Sequence, residues 1–390
     1  MKARNIFIIL ASINLLNYID RQVLYAVFPL IKQDLILSDK ELGFLASAFM
    51  LVYMLSAPLL GYIADRTPRQ KVIALSAFLW SMATSACACV RNYFALIFAR
   101  SLVGVGESGF TSVCPSFIAE KFTPQVRARV LALFALGLPL GSALGYLLGG
   151  VLGKQFGWRL AFLILGLPGI ILAFIVYFAI KDTPKKKEEK PPFTNYLKLL
   201  KNKKFVFVCL AQAMGTFTLG ALAAWGPSFL NRYFAYDTAA SGTVFGALII
   251  IAGALGTLLG GLIGDRWQKK TQNGYFYTTA LSFLFAFPFG LAAFLMTSKF
   301  LFFLFLMLSI MFVFMQNGPL NASVVSLTAL KERSMAFALN IFIIHALGDA
   351  LSPYLVGFVS DSFNLKFAVI LSLFFVLPAA CFAYLASKVK

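Results

Sequence analysis

Gly61-Tyr-Ile-Ala-Asp65-Arg66-Thr-Pro-Arg69-Gln-Lys71 ends one long apolar run, and 200 residues later Gly261-Leu-Ile-Gly-Asp265-Arg266 ends another with the same Gly-x-Ile-x-Asp-Arg spacing. Around the first, apolar runs lie at about 6–29, 40–64, 72–90, 93–118, 128–152 and 159–180. Around the second they lie at about 205–230, 241–264, 275–297, 300–327, 335–358 and 366–387. Each repeated segment closes the second run of a set of six, so duplication of a six-run unit is the simplest account.

The composition agrees. Of 390 residues, 60% are hydrophobic and 13% charged, with a mean hydropathy of +0.84, too apolar for a water-soluble chain of this length. A bilayer core needs roughly 20 apolar residues per crossing, so twelve crossings use about 250 and leave short loops. The expected fold is all-α, with twelve transmembrane helices in two pseudo-symmetric six-helix bundles at 1–180 and 205–390. Between them, 181–204 is a basic linker holding Lys185, Lys186, Lys187 and Lys190 with Pro191 and Pro192. Its end places Phe193, Tyr196, Leu197 and Leu200 at helical spacing among lysines, either a short helix on an anionic membrane face or a solvated basic loop. The first run passes through Asn14, Asn17, Asp20 and Arg21 without a small-residue cleavage site, so it reads as a span and not a signal peptide.

The 34 Lys and Arg against 15 Asp and Glu give +19, which in a soluble chain would suggest nucleic acid. With the N-terminus inside, inner segments carry 24 of the basic residues and outer loops eight, which places both termini in the cytoplasm and makes the charge a matter of topology. No nucleic-acid partner is expected. The five cysteines, Cys87, Cys89, Cys114, Cys209 and Cys381, all lie in apolar runs and read as core packing, with no disulfide framework or zinc site. With one histidine and no Walker loop or G-x-S-x-G turn, neither an enzyme nor a bound metal or cofactor is expected. Internal repeats of this kind mark transporters, whose two bundles rock about a midplane site.

The stretch from Gly61 to Lys71 resembles the G-x-L-x-D-R-x-x-R loop signature of the major facilitator superfamily, with Pro68 and Gln70 departing from it. Arg100-x-x-x-Gly104-x-Gly106 and Gly157-Trp158-Arg159 are also similar to that superfamily. Within it, residues 14–160 look most like the Spinster lipid transporters, on Asn17-Tyr-Ile-Asp20-Arg21, Ser101-Leu-Val-Gly-Val-Gly-Glu107-Ser-Gly and Leu138-Pro-Leu-Gly-Ser-Ala-Leu-Gly-Tyr146. In the second half Gly226-Pro-Ser-Phe-Leu-Asn-Arg232 is the clearest echo. The resemblance implies export or flipping of lysophospholipid-like or sphingoid-phosphate-like amphiphiles, with proton coupling at Asp20 and Glu107.

Ionisable side chains deep in a span cost about 2.5–3.5 kcal/mol each to insert. Six lie there: Asp20, Arg21, Arg100, Glu107, His345 and Asp349. At about 1.5 Å of rise per residue, Asp20 and Arg100 reach similar depths, so they are expected to meet if the first and fourth spans are neighbours, as the resemblance implies. Arg21, rotated by about 100° from Asp20, faces another helix or the cavity. Glu107 shares a face with Arg100 about 10 Å along the axis, near the midplane, where a proton arriving from the acidic side would neutralise it. The expected coupling step is an exchange of partners, Arg100 leaving a protonated Asp20 for Glu107 or for an anionic substrate. The competing account is neutralised pairs that only fix bundle geometry. His345 and Asp349, four apart, form either a second proton site or an interhelical hydrogen-bonded pair. Gln316, Asn317, Asn340 and Asn321 line a substrate cavity or act as polar glue.

Asp65, Arg66 and Arg69 with Asp265 and Arg266 sit at inner helix ends, where they could latch an inner gate. Gly137, Gly141, Gly145 and Gly149, and Gly256, Gly260 and Gly264, make smooth ridges that suit close crossings between the two halves. Phe28, Phe110, Phe217 and Phe245 are candidates for an apolar wall, and Trp225 and Arg232 either receive a headgroup or serve as an interfacial anchor, the anchor being favoured. Taken together, the sequence predicts a monomeric, proton-coupled secondary transporter of an amphiphilic lipid, working by alternating access in a plasma or bacterial inner membrane. Its alternatives are a proton-driven carrier of a small organic anion or drug, and a membrane sensor that transports nothing.

Overall fold

In hydrocarbon every backbone N–H and C=O must find its partner within its own segment, which leaves helices as the route through for a chain of this pattern. The computed structural model describes residues 3–64, 66–180, 194–329 and 332–389, and among them the regular elements are all helical. They are α1 (Ala3–Ala26), α2 (Phe28–Leu35), α3 (Asp39–Ala64), α4 (Arg69–Ala86), α5 (Tyr93–Lys121), α6 (Pro124–Ala135), α7 (Gly137–Ala179), α8 (Thr194–Lys201) and α9 (Lys203–Phe234). There follow α10 (Thr238–Lys270), α11 (Gly274–Leu295), α12 (Lys299–Phe314), α13 (Asn317–Ser326), α14 (Arg333–Leu347), α15 (Ser352–Ser362), α16 (Leu365–Leu373) and α17 (Val376–Lys388). Most of the expected linker, and Asp65, lie outside the described residues.

Ten segments among the described residues are long and apolar enough to cross a membrane. One of them includes the whole of α7, whose 43 residues would run about 65 Å if straight, twice the bilayer core. It breaks at Gly157, where φ is 81° and ψ 160°, a backbone conformation that a side chain would oppose. Residues 137–156 and 158–179 are therefore two crossings. The segment missing from the ten is α5, whose apolar character is diluted by Arg100 and Glu107. Counting it gives the twelve expected.

Contacts divide the chain into two units, Met1–Glu188 with Ala224–Ala247, and Glu189–Ala223 with Leu248–Lys390. In the first, α5 lies against both α3 and α4, and its glycines set the spacing. A Cβ on Gly104 would come within 2.6 Å of the Phe49 carbonyl oxygen, and one on Gly106 within 2.7 Å of the Ser76 carbonyl oxygen. The Gly137–Gly149 ridge faces α1, with Gly141 against Leu15 and Tyr18 and Gly145 against Ile19. This corrects the expectation of a crossing between halves: the ridge brings α1 close to α7 within one bundle. Trp225 is fully buried with its ring 5.6 Å from that of Phe28, so it is packing and not an interfacial anchor. Phe110 and Phe245 are likewise buried, against Trp80 and Tyr146.

The start of α3 is fixed by a capping box, Ser38 and Glu41 exchanging backbone-to-side-chain bonds at 2.8 and 3.2 Å. Beside it, Asp39 is buried yet accepts from Lys32 at 2.5 Å and from both terminal nitrogens of Arg232 at 2.6 Å.

In the second unit, Leu199 of α8, Phe205 and Val208 of α9, Phe276 of α11, Leu320 of α13, Ala336 of α14 and Ala383 of α17 share one core. The segment of α8 is helical as its spacing predicts, but Leu199 and Tyr196 turn to the core while Leu197 and Leu200 stay exposed, so the apolar residues expected on one face are split. Gly256 and Gly260 press on the Met311 and Met315 carbonyls, again inside one bundle. Phe217 stacks on Phe375 at 3.8 Å. All five cysteines are free; Cys87, Cys114 and Cys209 are buried, but Cys89 and Cys381 are exposed, which corrects their assignment to the core.

Candidate functional site

Two buried ion pairs connect α1 to α5. Arg100 donates from Nη1 to Asp20 Oδ1 at 3.1 Å, and the other oxygen of Asp20 accepts from the Thr84 hydroxyl at 2.5 Å. Arg21 donates from Nε to Glu107 Oε2 at 2.5 Å. Asp20 and Arg21 are adjacent on α1, whereas Arg100 and Glu107 stand about 10 Å apart along α5. The two long arginine side chains take up that difference. Arg100 and Glu107 are fully buried, and Asp20 is 5% exposed.

Aromatic faces hold the cations. The Arg21 guanidinium lies 4.7 Å from the Tyr53 ring centre, 5.2 Å from Tyr18 and 5.5 Å from Phe49. Phe49 also lies 5.4 Å from Arg100, and Phe162 lies 5.7 Å from it. A desolvated guanidinium gains about 2 kcal/mol or more from such a face. Each pair keeps polar capacity in reserve, Glu107 Oε1, Arg21 Nη2 and Arg100 Nε being buried without a hydrogen-bond partner among the described residues, as are both amide atoms of Asn17 on α1. Buried groups of this kind cost stability, so their presence here calls for a functional reason.

The arrangement differs from the sequence expectation in one respect. Glu107 is not waiting for Arg100; it is already held by Arg21. Sequence position did place Arg21 on a different face from Asp20, but nothing in the pattern chose Glu107 as its partner. Thr84, Tyr18, Phe49 and Tyr53 were missed altogether. An uncharged Thr or an aromatic residue in an apolar span gives no signal of its own, and only the packing of α3, α4 and α1 around α5 brings these to the charges.

In the second unit, His345 Nδ1 and Asp349 Oδ1 are 2.8 Å apart and both are partly buried. Helix α14 ends at Leu347, so Asp349 stands in the turn before α15. Asn340 donates to Gln212 at 2.7 Å, and Gln212 donates on to Asn321 at 3.2 Å. Gln316 is buried separately, its Oε1 without a hydrogen-bond partner among the described residues, and Asn317 reaches Thr257 at 3.5 Å.

The charged loop residues find partners inside their own units. Arg69 makes a two-pronged bond to Glu120 at 2.8 and 2.6 Å. Arg66 donates to the Tyr62 carbonyl at 3.1 Å, and Asp265 accepts from the Tyr275 hydroxyl at 2.8 Å. Arg266 is exposed. The signature glycines Gly61 and Gly261 both face open space.

The profile of the Major Facilitator Superfamily matches residues 10–353. Protein spinster homolog 1 of Xenopus tropicalis is 32% identical over 382 residues, which covers 91% of this chain and 72% of that protein. The sphingosine-1-phosphate transporter SPNS2 of the same species is 29% identical over 376 residues, covering 90% and 73%. A bacterial homolog to the human lysosomal transporter Spinster, crystallised in an inward-facing and occupied conformation, superposes with a TM-score of 0.89 at 22% identity, over 99% of this chain and 97% of that one.

Proposed function

The chain belongs to the Spinster family of the major facilitator superfamily and is a multi-pass membrane transporter, not an enzyme; we propose that it moves a single-chain amphiphilic lipid bearing a phosphate, driven by protons. The observation that carries the proton coupling is the fully buried carboxylate of Glu107, held by Arg21 one residue from the Asp20–Arg100 pair. A buried salt bridge loses its attraction when its acid is neutralised, while the arginine stays charged. A proton on Glu107 releases Arg21, and a proton on Asp20 releases Arg100. Either freed cation then seeks an anionic headgroup, and only one partner can hold it at a time.

The lipid comes from kinship: a relative at 29% identity is named for sphingosine-1-phosphate, an amphiphile with one chain and one phosphate. In this reading Gln316, Asn317 and Asn340 offer neutral hydrogen bonds to the headgroup, and His345 with Asp349 forms a second proton site. Asp65, Arg66, Arg69, Asp265 and Arg266 work the inner gate, supported by the open faces of Gly61 and Gly261. The domains 1–180 and 205–390 rock as wholes about the site, with 181–204 as their tether. The protein sits in a plasma or bacterial inner membrane with both termini in the cytoplasm, and the working unit is a monomer.

The test is uptake into proteoliposomes. Labelled lysophospholipid and sphingosine-1-phosphate should accumulate when a pH gradient is imposed and only equilibrate without one. Accumulation of a small organic anion, with no lipid flux, would overturn the substrate; lipid flux indifferent to the gradient would overturn the coupling.

A further inference from the structure

The second unit carries a groove of about 520 Å³ whose lining is almost wholly apolar, formed by α11, α17 and Trp267 of α10. None of the coupling residues lines it. Ala280 and Ala380 are buried in its floor, and small residues there make the surface concave. Leu281, Leu284 and Tyr384 are 40%, 49% and 47% exposed along its walls, so the groove opens outward and not into a closed interior.

One end is built differently from the rest. Trp267 meets Tyr277 edge to face at 6.3 Å, and the Lys388 ammonium sits 5.0 Å from the Tyr384 ring centre. Lys269 and Lys270, both exposed, end α10 within a turn of Trp267. The acid closest in sequence on α10, Asp265, is engaged by the Tyr275 hydroxyl. Trp and Tyr collect at the headgroup level of a bilayer, and basic pockets between helices at that level bind anionic headgroups.

We propose that this groove is a binding site for a bilayer phospholipid with an anionic headgroup, distinct from the transported molecule. One acyl chain lies on Ala280 and Ala380, and the phosphate rests among Lys388, Lys270 and the Tyr384 hydroxyl. The apolar length calls for a hydrocarbon chain, and the lysines in the last turns of α10 and α17 select its charge.

Cys381 lines the groove and is exposed, whereas Cys87, Cys114 and Cys209 are buried. In a Cys89→Ser background a neutral, membrane-permeant maleimide therefore reports on groove occupancy through Cys381. In nanodiscs of phosphatidylglycerol, labelling should be slower than in phosphatidylcholine. A lysine near a membrane surface contributes about 1 kcal/mol toward anionic lipid, so Lys388→Ala and Lys270→Ala should each relieve the protection by roughly fivefold. Ala380→Trp, which fills the floor without changing charge, should abolish phosphatidylglycerol binding seen by native mass spectrometry. Equal labelling in the two lipids overturns the proposal, as does protection that survives the double lysine variant. Neither result bears on uptake of labelled lysolipid, which stands or falls on Glu107.

Discussion

Arg21 and Glu107 form a 2.5 Å ion pair in which the carboxylate is fully buried, and the residue before Arg21 holds a second buried pair with Arg100. Two opposite charges thus leave neighbouring positions of α1 for two positions of α5. Removing one member strands the other in a low dielectric at about 3–5 kcal/mol, whereas removing both and restoring the volume is close to neutral. Glu107→Gln and Arg21→Met alone should each lower the unfolding temperature in detergent, while Arg21→Met with Glu107→Leu should recover most of it. The double variant should still fail to accumulate substrate against a pH gradient. Accumulation by the double variant would show that the pair only fixes geometry.

Asp20 is bound from two sides, by Arg100 at 3.1 Å and by the Thr84 hydroxyl at 2.5 Å. The two bonds do different things. Asp20→Asn removes the charge that opposes Arg100 and, in the proposed coupling, a proton acceptor, so gradient-driven uptake should fall by tenfold or more with downhill exchange retained. Thr84→Val removes a donor to a buried charged group and costs about 1.5–3 kcal/mol of stability. Uptake by Thr84→Val should persist, because Asp20 keeps its charge and its bond to Arg100. The check is initial rate against pH for both variants in proteoliposomes.

The twelve crossings were legible because lipid imposes one requirement, an apolar length, that a sequence either meets or does not. Ionisable residues in spans were legible for the same reason: Asp20, Arg21, Arg100 and Glu107 break an otherwise apolar pattern. Partner choice was not, since it depends on which helix faces which and on how far an arginine reaches. The glycine ridges show the same boundary. Their spacing of four announces a close crossing, but only the fold says that Gly145 meets Ile19 on α1 instead of the other half. Likewise Arg69 gave no hint of Glu120, 51 positions away.

Gly145 and Gly261 make opposite predictions for the same substitution. A Cβ at Gly145 would lie 2.5 Å from the Ile19 carbonyl oxygen and 2.8 Å from the Gln22 Cβ, whereas one at Gly261 meets nothing within 4 Å. Gly145→Ala should therefore push α1 away from α7 and destabilise by about 1–3 kcal/mol. Because Ile19 precedes Asp20, the same shift should loosen the Asp20–Arg100 pair and lower gradient-driven uptake. Gly261→Ala, in the interior of α10, should be neutral or stabilise by up to about 1 kcal/mol. Thermal unfolding of the two variants side by side decides this.

Asp237 opens α10, accepting from the Ala240 backbone N–H at 2.8 Å and from Lys154 at 2.7 Å. The backbone N–H first, then the lysine, hold its carboxyl below the usual aspartate value. A depressed folded value means that its stabilisation is complete above the unfolded value, near 3.9, and is lost as pH falls through the folded one. Between pH 7 and 5 it changes nothing. The stability difference between wild type and Asp237→Asn should therefore be flat over that interval and close only in strong acid. Any change of transport between pH 7 and 5 must come from other groups. Unfolding temperature against pH for the two proteins measures it.

Asp39 gathers Lys32 at 2.5 Å and Arg232 at 2.6 Å although its own side chain is 3% exposed, so one carboxylate ties α2, α3 and the end of α9 together. Such a bond to a charged group contributes about 1.5–3 kcal/mol, more than a surface pair. On the proposed rocking of 1–180 against 205–390, the end of α9 would separate from α3 and the Arg232–Asp39 fork would break. Asp39→Asn keeps the volume and one acceptor oxygen but no charge. Reaction of a cysteine at Asn231, beside the fork, with a membrane-impermeant maleimide should then speed up by roughly tenfold. Arg232→Met should produce the same acceleration, and combining the two should add little, since both remove one interaction. Lys32→Met should do less, because it leaves the two-pronged arginine in place. Unchanged labelling in Asp39→Asn, with uptake intact, would make the fork a fixed brace rather than a gate.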